Sequence, residues 1–406
     1  MKKTLWSHDF TIITLGTLIS AIGSTAMSFA LSLVVFDHTS STLMTGIFSA
    51  ISLMPTVLIP ILAAPLVDGS CRKRLIVMLD SGNGILYLLF AAFLLMQEFS
   101  YAGYLIFSLL TASSGAIYSL AYSSLYPDLI PKGFAQKGYS VSSLIYPSVT
   151  ALFTPVASLL YVHLGIAWIC AMEGILLLTA ALFEARIRYQ ETIGKRVFTL
   201  QKYKTDLMDG FRYLKKEKGI RSIYGYMAVT NASAEGINLV TMAMFQSSPI
   251  LTTTMYAFLT TADTIGRMAG GLMHYVLHIP AKKRYRVAVS VYAVYESLDM
   301  VFLFLPYPLM VINRFTCGFL GINSLNIREA STQNYLPSYM RARVNALFQV
   351  LVALIMMASR FSAGVIAQYV SYPLTALLFA SISMLAIFLL IIRNRKQVSK
   401  IYNQEL

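Results

Sequence analysis

Charged side chains are scarce in this chain of 406 residues: Asp, Glu, Lys and Arg make up 12%, where an ordinary soluble domain carries about 25%. That shortage excludes a soluble enzyme, a nucleic-acid-binding module and a disordered chain. Cysteine is nearly absent as well. Cys71, Cys170 and Cys317 are scattered, form no Cys-x-x-Cys, and read as free thiols without a metal-ligand pairing. His274 and His278 stand four apart, a spacing that suits a metal, but with no third ligand in sight contact with lipid headgroups is the simpler reading. No Ser/His, His-Glu-x-x-His or paired-aspartate arrangement occurs at matched depth in the apolar runs, so no enzyme chemistry and no cofactor is expected.

What the chain has in abundance is apolar sequence: 57% of residues are hydrophobic, and the mean hydropathy is +0.65. Apolar runs recur between short polar breaks at 10–36, 43–66, 75–96, 101–125, 139–162, 164–183, 220–245, 250–277, 287–305, 308–328, 343–369 and 372–392. A membrane-spanning helix needs roughly 20 such residues. A barrel strand would instead show about ten residues of strict alternation. The reading is all-α and integral to a membrane, with twelve spans. The first run is too long for a signal peptide and lacks a suitably placed Ala-x-Ala site, so it counts as a span.

The net charge of +14 follows the same topology. All but four of the 32 Lys and Arg residues fall at the N-terminus, in every second loop, or after residue 392. The alternate loops, near Asp37, Glu98, His163, Gln246, Pro306 and Tyr369, contain none. This distribution places both termini in the cytoplasm, in a multi-pass protein of the cell membrane. The basic loops then face anionic inner-leaflet lipid, and the excess charge gives no reason to expect nucleic acid.

Segment 184–219 is the one long loop, and Phe198, Leu207, Phe211 and Leu214 are spaced for an amphipathic helix at the cytoplasmic membrane face. It divides the chain into six-span bundles at 1–183 and 220–393, with a cytoplasmic tail at 394–406. The halves resemble each other: Asp128 to Pro131 in the first answers Asn334 to Pro337 in the second, and each opens a basic loop before a new helix. Repeated six-helix halves are a transporter signature, because two similar bundles can rock about a site between them.

The loop Asp68, Gly69, Ser70, Cys71, Arg72, Lys73, Arg74 between spans two and three resembles the loop motif of the major facilitator superfamily. With the twelve spans and the repeat, the resemblance covers essentially the whole chain. It is most similar to the branch of macrolide-efflux and enterobactin-exporter-like proteins, through Val77 to Asp80, Tyr126 to Pro131, Gln333 to Pro337, and Arg341 to Val344. The resemblance implies a secondary transporter working by alternating access on a small amphipathic solute, exported, with proton coupling an open alternative. It also implies a cytoplasmic gate at Asp68, Arg72 and Lys73. The family's neighbouring motif positions are Ala64, Gly69 and Cys71 here, which thins the latch. The Arg expected on span four is missing at Thr111 to Gly115, and the matching pattern stands on span ten at Arg314 to Gly318.

An ionised side chain at the bilayer centre costs about 2.5–3.5 kcal/mol on insertion scales, so each one should face a partner or a water-filled space. The first half has almost none, with Asp80 near the end of span three and Glu173 central on span six. The second half holds Glu235, Asp263, Arg267, Glu296, Asp299, Arg314 and Arg360, with Arg328 and Glu329 near a span end. Depth places Glu235, Arg314 and Arg360 in the outer half of the bilayer, where they are expected to converge as polar anchors for substrate. Asp263 and Arg267 are spaced as a helical ion pair. Asp263, with Glu296 and Asp299, is a candidate proton carrier, since adjacent carboxyls raise one another's proton affinity. Ser24, Tyr118 and Tyr122 offer a softer substrate surface in the first half. Rival readings are an organic-anion facilitator or importer, a lysophospholipid flippase, and a transport-inactive sensor or scaffold. The transporter reading expects a monomer with a small-molecule substrate.

Overall fold

A run of apolar residues crossing a bilayer folds as a helix because that is the way to satisfy every backbone N–H and C=O within one segment. The computed structural model describes residues 4–404 apart from 69, 97–98, 132–133, 191–199 and 277–279. The first six helices are α1 (His8–Thr39), α2 (Thr42–Asp68), α3 (Arg72–Met96), α4 (Tyr101–Leu129), α5 (Ala135–Leu164) and α6 (Ile166–Glu184). Amphipathic α7 (Leu200–Lys216) follows. Then come α8 (Lys218–Ser247), α9 (Thr253–Val276), α10 (Ala281–Val301), α11 (Tyr307–Tyr335), α12 (Ser338–Ile366) and α13 (Tyr372–Ala386). A π-helical turn at 387–392 extends α13, and a short α14 (Arg395–Tyr402) ends the series. Each of the twelve expected spans meets one helix.

Among the described residues, nine of these helices are apolar enough to cross a membrane by length and composition alone. The three that are not, α8, α9 and α11, carry Glu235, Asp263, Arg267, Arg314 and Arg328. Local chemistry sets the breaks. Ser100 caps α4 by accepting from the Gly103 amide at 3.2 Å. Gly165, with φ of 77°, turns the chain directly from α5 into α6 in a conformation that a side chain would strain. Pro280, Pro306 and Pro337 stand at the N-caps of α10, α11 and α12. Within the helices, hydroxyls such as Thr17, Thr154 and Thr241 donate to the carbonyl four residues earlier, which satisfies them without water.

The chain forms two compact units. The first comprises Met1–His38 and Ile51–Leu200, and the second Thr39–Ala50 and Gln201–Leu406. In the first, α3 and α6 touch backbone to backbone: a Cβ at Gly84 would lie 2.9 Å from the Gly174 carbonyl, and one at Gly174 would lie 2.8 Å from that of Gly84. In the second, Gly266 and Gly318 let α9 and α11 approach so closely that any side chain at either would overlap the opposing backbone. The residues at the start of α2 pack against α12, where the Thr42 hydroxyl donates to the Gly364 carbonyl at 3.1 Å.

Two segments outside the spans pack against the second unit. Leu214 of α7 is buried in the core of the second unit, while Phe211 stays exposed; Phe198 lies outside the described residues. Asp209 of α7 pairs with Arg343 at 3.2 Å. The segment expected as a tail folds as α14, with Val398, Ile401 and Tyr402 at 0–1% exposure. Its Tyr402 hydroxyl meets that of Tyr292 at 2.9 Å, and Asn403 accepts from the Tyr285 amide at 3.0 Å. Burial pushes the Tyr402 phenol well above its ordinary range, so this hydroxyl serves as a hydrogen-bonding group.

Candidate functional site

The first unit encloses a cavity of about 430 Å³. α1 contributes Thr17, Ser20 and Ser24, α3 contributes Asp80, Asn83 and Tyr87, and α4 contributes Thr111, Tyr118 and Tyr122. Tyr146 of α5 and Glu173 of α6 complete its polar wall. The recurrence of small residues at positions 20 and 24 and of tyrosines at 118 and 122 puts each pair on one helix face, one turn apart. Ser24, Tyr118 and Tyr122 thus line one cavity. The rings of Tyr118 and Tyr122 stack with centroids 5.9 Å apart, and the Tyr122 hydroxyl accepts from Thr17 at 3.0 Å.

Carboxyls dominate this space. Asp80 and Glu173 line it at 4% and 2% exposure, and Glu184, at 0%, joins it through Tyr118, whose hydroxyl donates to Glu184 Oε1 at 2.9 Å. Asp80 lies within electrostatic reach of both glutamates. One oxygen of each (Asp80 Oδ2, Glu173 Oε2 and Glu184 Oε2) is buried without a hydrogen-bond partner. Among the described residues no basic side chain pairs with any of the three. Two glycines of α1 make the room: a Cβ at Gly23 would overlap the Glu173 carboxylate, and one at Gly16 would sit 3.3 Å from Glu184 Cγ. Three neighbouring carboxylates without a cation are an electrostatically costly set.

The second unit treats its charges differently. Arg360 holds Glu235 through both Nε, at 2.8 Å, and Nη2, at 2.6 Å, and its Nη1 donates to the Ser49 carbonyl at 3.3 Å. Arg314 binds Asp299 with a close charge-assisted contact and donates to Asn313 Oδ1 at 2.8 Å. Its guanidinium lies 3.8 Å from the centre of the Phe302 ring. Arg267 Nε donates to Asp263 Oδ2 at 2.7 Å. The expected convergence of Arg314 with Glu235 and Arg360 is thus replaced by two separate pairs, each arginine having its own carboxylate. Of the candidate proton carriers, Asp263 and Asp299 are held by arginines. Glu296 accepts from Thr230 at 2.8 Å and Tyr226 at 3.4 Å.

A second cavity, of about 160 Å³, lies beside Glu296's donors, between Tyr226, Thr230 and Asn231 of α8, Arg267 of α9, Tyr292 and Tyr295 of α10, and Ser324 and Arg328 of α11. Arg328, 7% exposed, has a buried Nε with no hydrogen-bond partner.

The residues expected to gate the loop form contacts inside the first unit. Arg72 Nη1 donates to the Ser124 carbonyl at 2.6 Å and pairs with Asp128 at 3.4 Å. The Lys73 ammonium donates to the Ile187 carbonyl. Together they tie the start of α3 to the ends of α4 and α6. Asp68 closes α2, and its side chain lies outside the described residues.

Twelve long helices with polar cavities inside their two units define a membrane transporter of the major facilitator fold. The chain matches the profile of the family described as transmembrane secretion effector over residues 4–405, and it belongs to that family. A search of curated proteins gives no match. Among solved structures, the POT-family transporter PepTSo shares 13% identity with a TM-score of 0.70, covering 97% of this chain and 98% of that one. A bacterial homologue of the human lysosomal transporter Spinster shares 12% identity with a TM-score of 0.69 and covers 100% of both chains. The D-xylose–proton symporter shares 13% identity with a TM-score of 0.69, covering 99% of this chain and 100% of its own. At these identities the likeness concerns the fold, and substrate has to be argued from the cavities.

Proposed function

We propose that the chain exports a small amphipathic solute bearing a positive charge, by alternating access, and exchanges it for protons at Asp80, Glu173 and Glu184. The observation that carries this reading is the set of three buried carboxyls, each with an unpartnered oxygen, at a cavity walled by tyrosines. A cationic group would supply the missing counter-charge, and the rings of Tyr87, Tyr118, Tyr122 and Tyr146 would hold it by cation–π contact and apolar packing. With the solute gone, protons would neutralise the same oxygens, so the two occupants exclude each other. The groups facing the carboxyls are these tyrosines, Cys170 and the carboxyls themselves.

The working halves are the six-helix bundles α1–α6 and α8–α13, joined through α7, with both termini on the cytoplasmic side of the cell membrane. Within the family we favour the macrolide-efflux-like branch over a siderophore exporter, because an acidic cavity suits an amine-bearing solute and repels an anionic chelator. The test is binding of tetraphenylphosphonium, a lipophilic cation, to the purified protein, and its uptake into proteoliposomes under an imposed pH gradient. Affinity should rise with pH and fall at least tenfold in Asp80→Asn and Glu173→Gln. Binding that ignores pH and survives both substitutions would end the reading.

A further inference from the structure

We propose that the cavity around Arg328 in the second unit is a binding site for a small oxyanion, a carboxylate or phosphate group. Arg328 is the exception to the pairing rule of its unit. Its guanidinium is buried, its Nε has no hydrogen-bond partner, and among the described residues no carboxylate bridges to it. An uncompensated buried charge is costly, and the usual remedy is a counter-ion within reach.

Neither nearby acid bridges to it. Asp263 is bound to Arg267 at 2.7 Å, and Glu296 receives the hydroxyls of Thr230 and Tyr226. Arg267 lines the same cavity, so the space faces two guanidinium groups. The remaining wall supplies neutral groups able to donate: the hydroxyls of Tyr295 and Ser324, and the second amide N–H of Asn231, whose first donates to the Met227 carbonyl at 2.7 Å. A guanidinium with several neutral donors in a confined space matches the needs of an oxyanion, which accepts from planar N–H pairs and hydroxyls at once. The cavity, of about 160 Å³, has room for a carboxylate or phosphate group.

This inference stands independently of the cation site, since it uses residues of the other unit. It is tested by thermal unfolding of the full-length protein in detergent with added lipid, titrated with benzoate and with inorganic phosphate, ionic strength being held constant with chloride. A ligand of the folded state raises the midpoint in a saturable way. A saturable rise with either anion, lost in Arg328→Gln and weakened but kept in Arg328→Lys, is the expected result. A rise with benzoate alone points to a carboxylate on a transported solute. A rise with phosphate alone points to free phosphate or a phospholipid headgroup. Should Arg328→Gln fail to fold, Asn231→Leu serves instead: it replaces the amide at the cavity wall with methyl groups of the same branching while leaving the guanidinium, and should weaken the rise with the helical circular dichroism unchanged. No saturable rise in the wild-type protein, or one that survives in both Arg328→Gln and Asn231→Leu, overturns the proposal.

Discussion

The two units handle buried charge in opposite ways. The first sets two carboxyls on one cavity and a third behind its Tyr118, and has no arginine or lysine paired with them among its described residues. The second brings Arg267, Arg314 and Arg360 each against its own carboxylate and leaves Arg328 facing a small polar cavity. A bridged pair is satisfied and has no need of a further ligand. An unbridged charge in a bilayer requires something from outside, whether proton, ion or solute. Within each unit, the groups without partners therefore point to function more strongly than the number of charges does.

That contrast can be broken at its firmest point first. Asp299→Ala would strand Arg314 in a 13%-exposed position, and should cost about 3–5 kcal/mol of stability. Replacing both partners, Asp299→Leu with Arg314→Met, should recover most of that loss in denaturant unfolding. Recovery marks the pair as structural, whereas a stable single mutant would show that the bridge contributes little.

The carboxyl cluster should behave in the reverse sense. Glu173→Gln removes one of three like charges and keeps the shape, so stability should hold or rise while tetraphenylphosphonium binding falls. A destabilised but fully binding variant would make the cluster structural after all. Gly23→Ala is the steric version of the same experiment. Its Cβ overlaps the Glu173 carboxylate, and such overpacking costs typically about 1–3 kcal/mol, here with weakened cation binding as the second readout. Smallest of all is Arg72→Ala, which removes the contacts to Ser124 and Asp128. It should lower stability by about 1 kcal/mol. A much larger effect on transport than on stability would favour a gating role.

Much of the fold is legible in the sequence, because run length and the placement of Lys and Arg report directly on the bilayer. The candidate sites are less so. Glu184 adjoins Arg186 and Arg188 and reads as the start of a loop, yet it is the last residue of α6 and fully buried. The tie between Asp299 and Arg314 left a trace: both lie about two turns from the hairpin at Pro306, which matches their depth on α10 and α11. Arg328 looked interfacial from its position near the end of its run, and only the packing of α8, α10 and α11 around it reveals a cavity. α14 is polar along most of its length, and three residues, Val398, Ile401 and Tyr402, carry its attachment. So few apolar positions are a weak signal in any tail.

That attachment bears on how the protein is made. α14 is synthesised after α8 to α13, yet its Tyr402 fills the core they share with Tyr285 and Tyr292. The core at that end of the second unit cannot close while the helix is still in the ribosome. A chain interrupted before Arg395 would have all twelve spans in the bilayer and a hydrophobic socket open beside Ile220, a mark by which a cell's quality control could tell unfinished copies from finished ones.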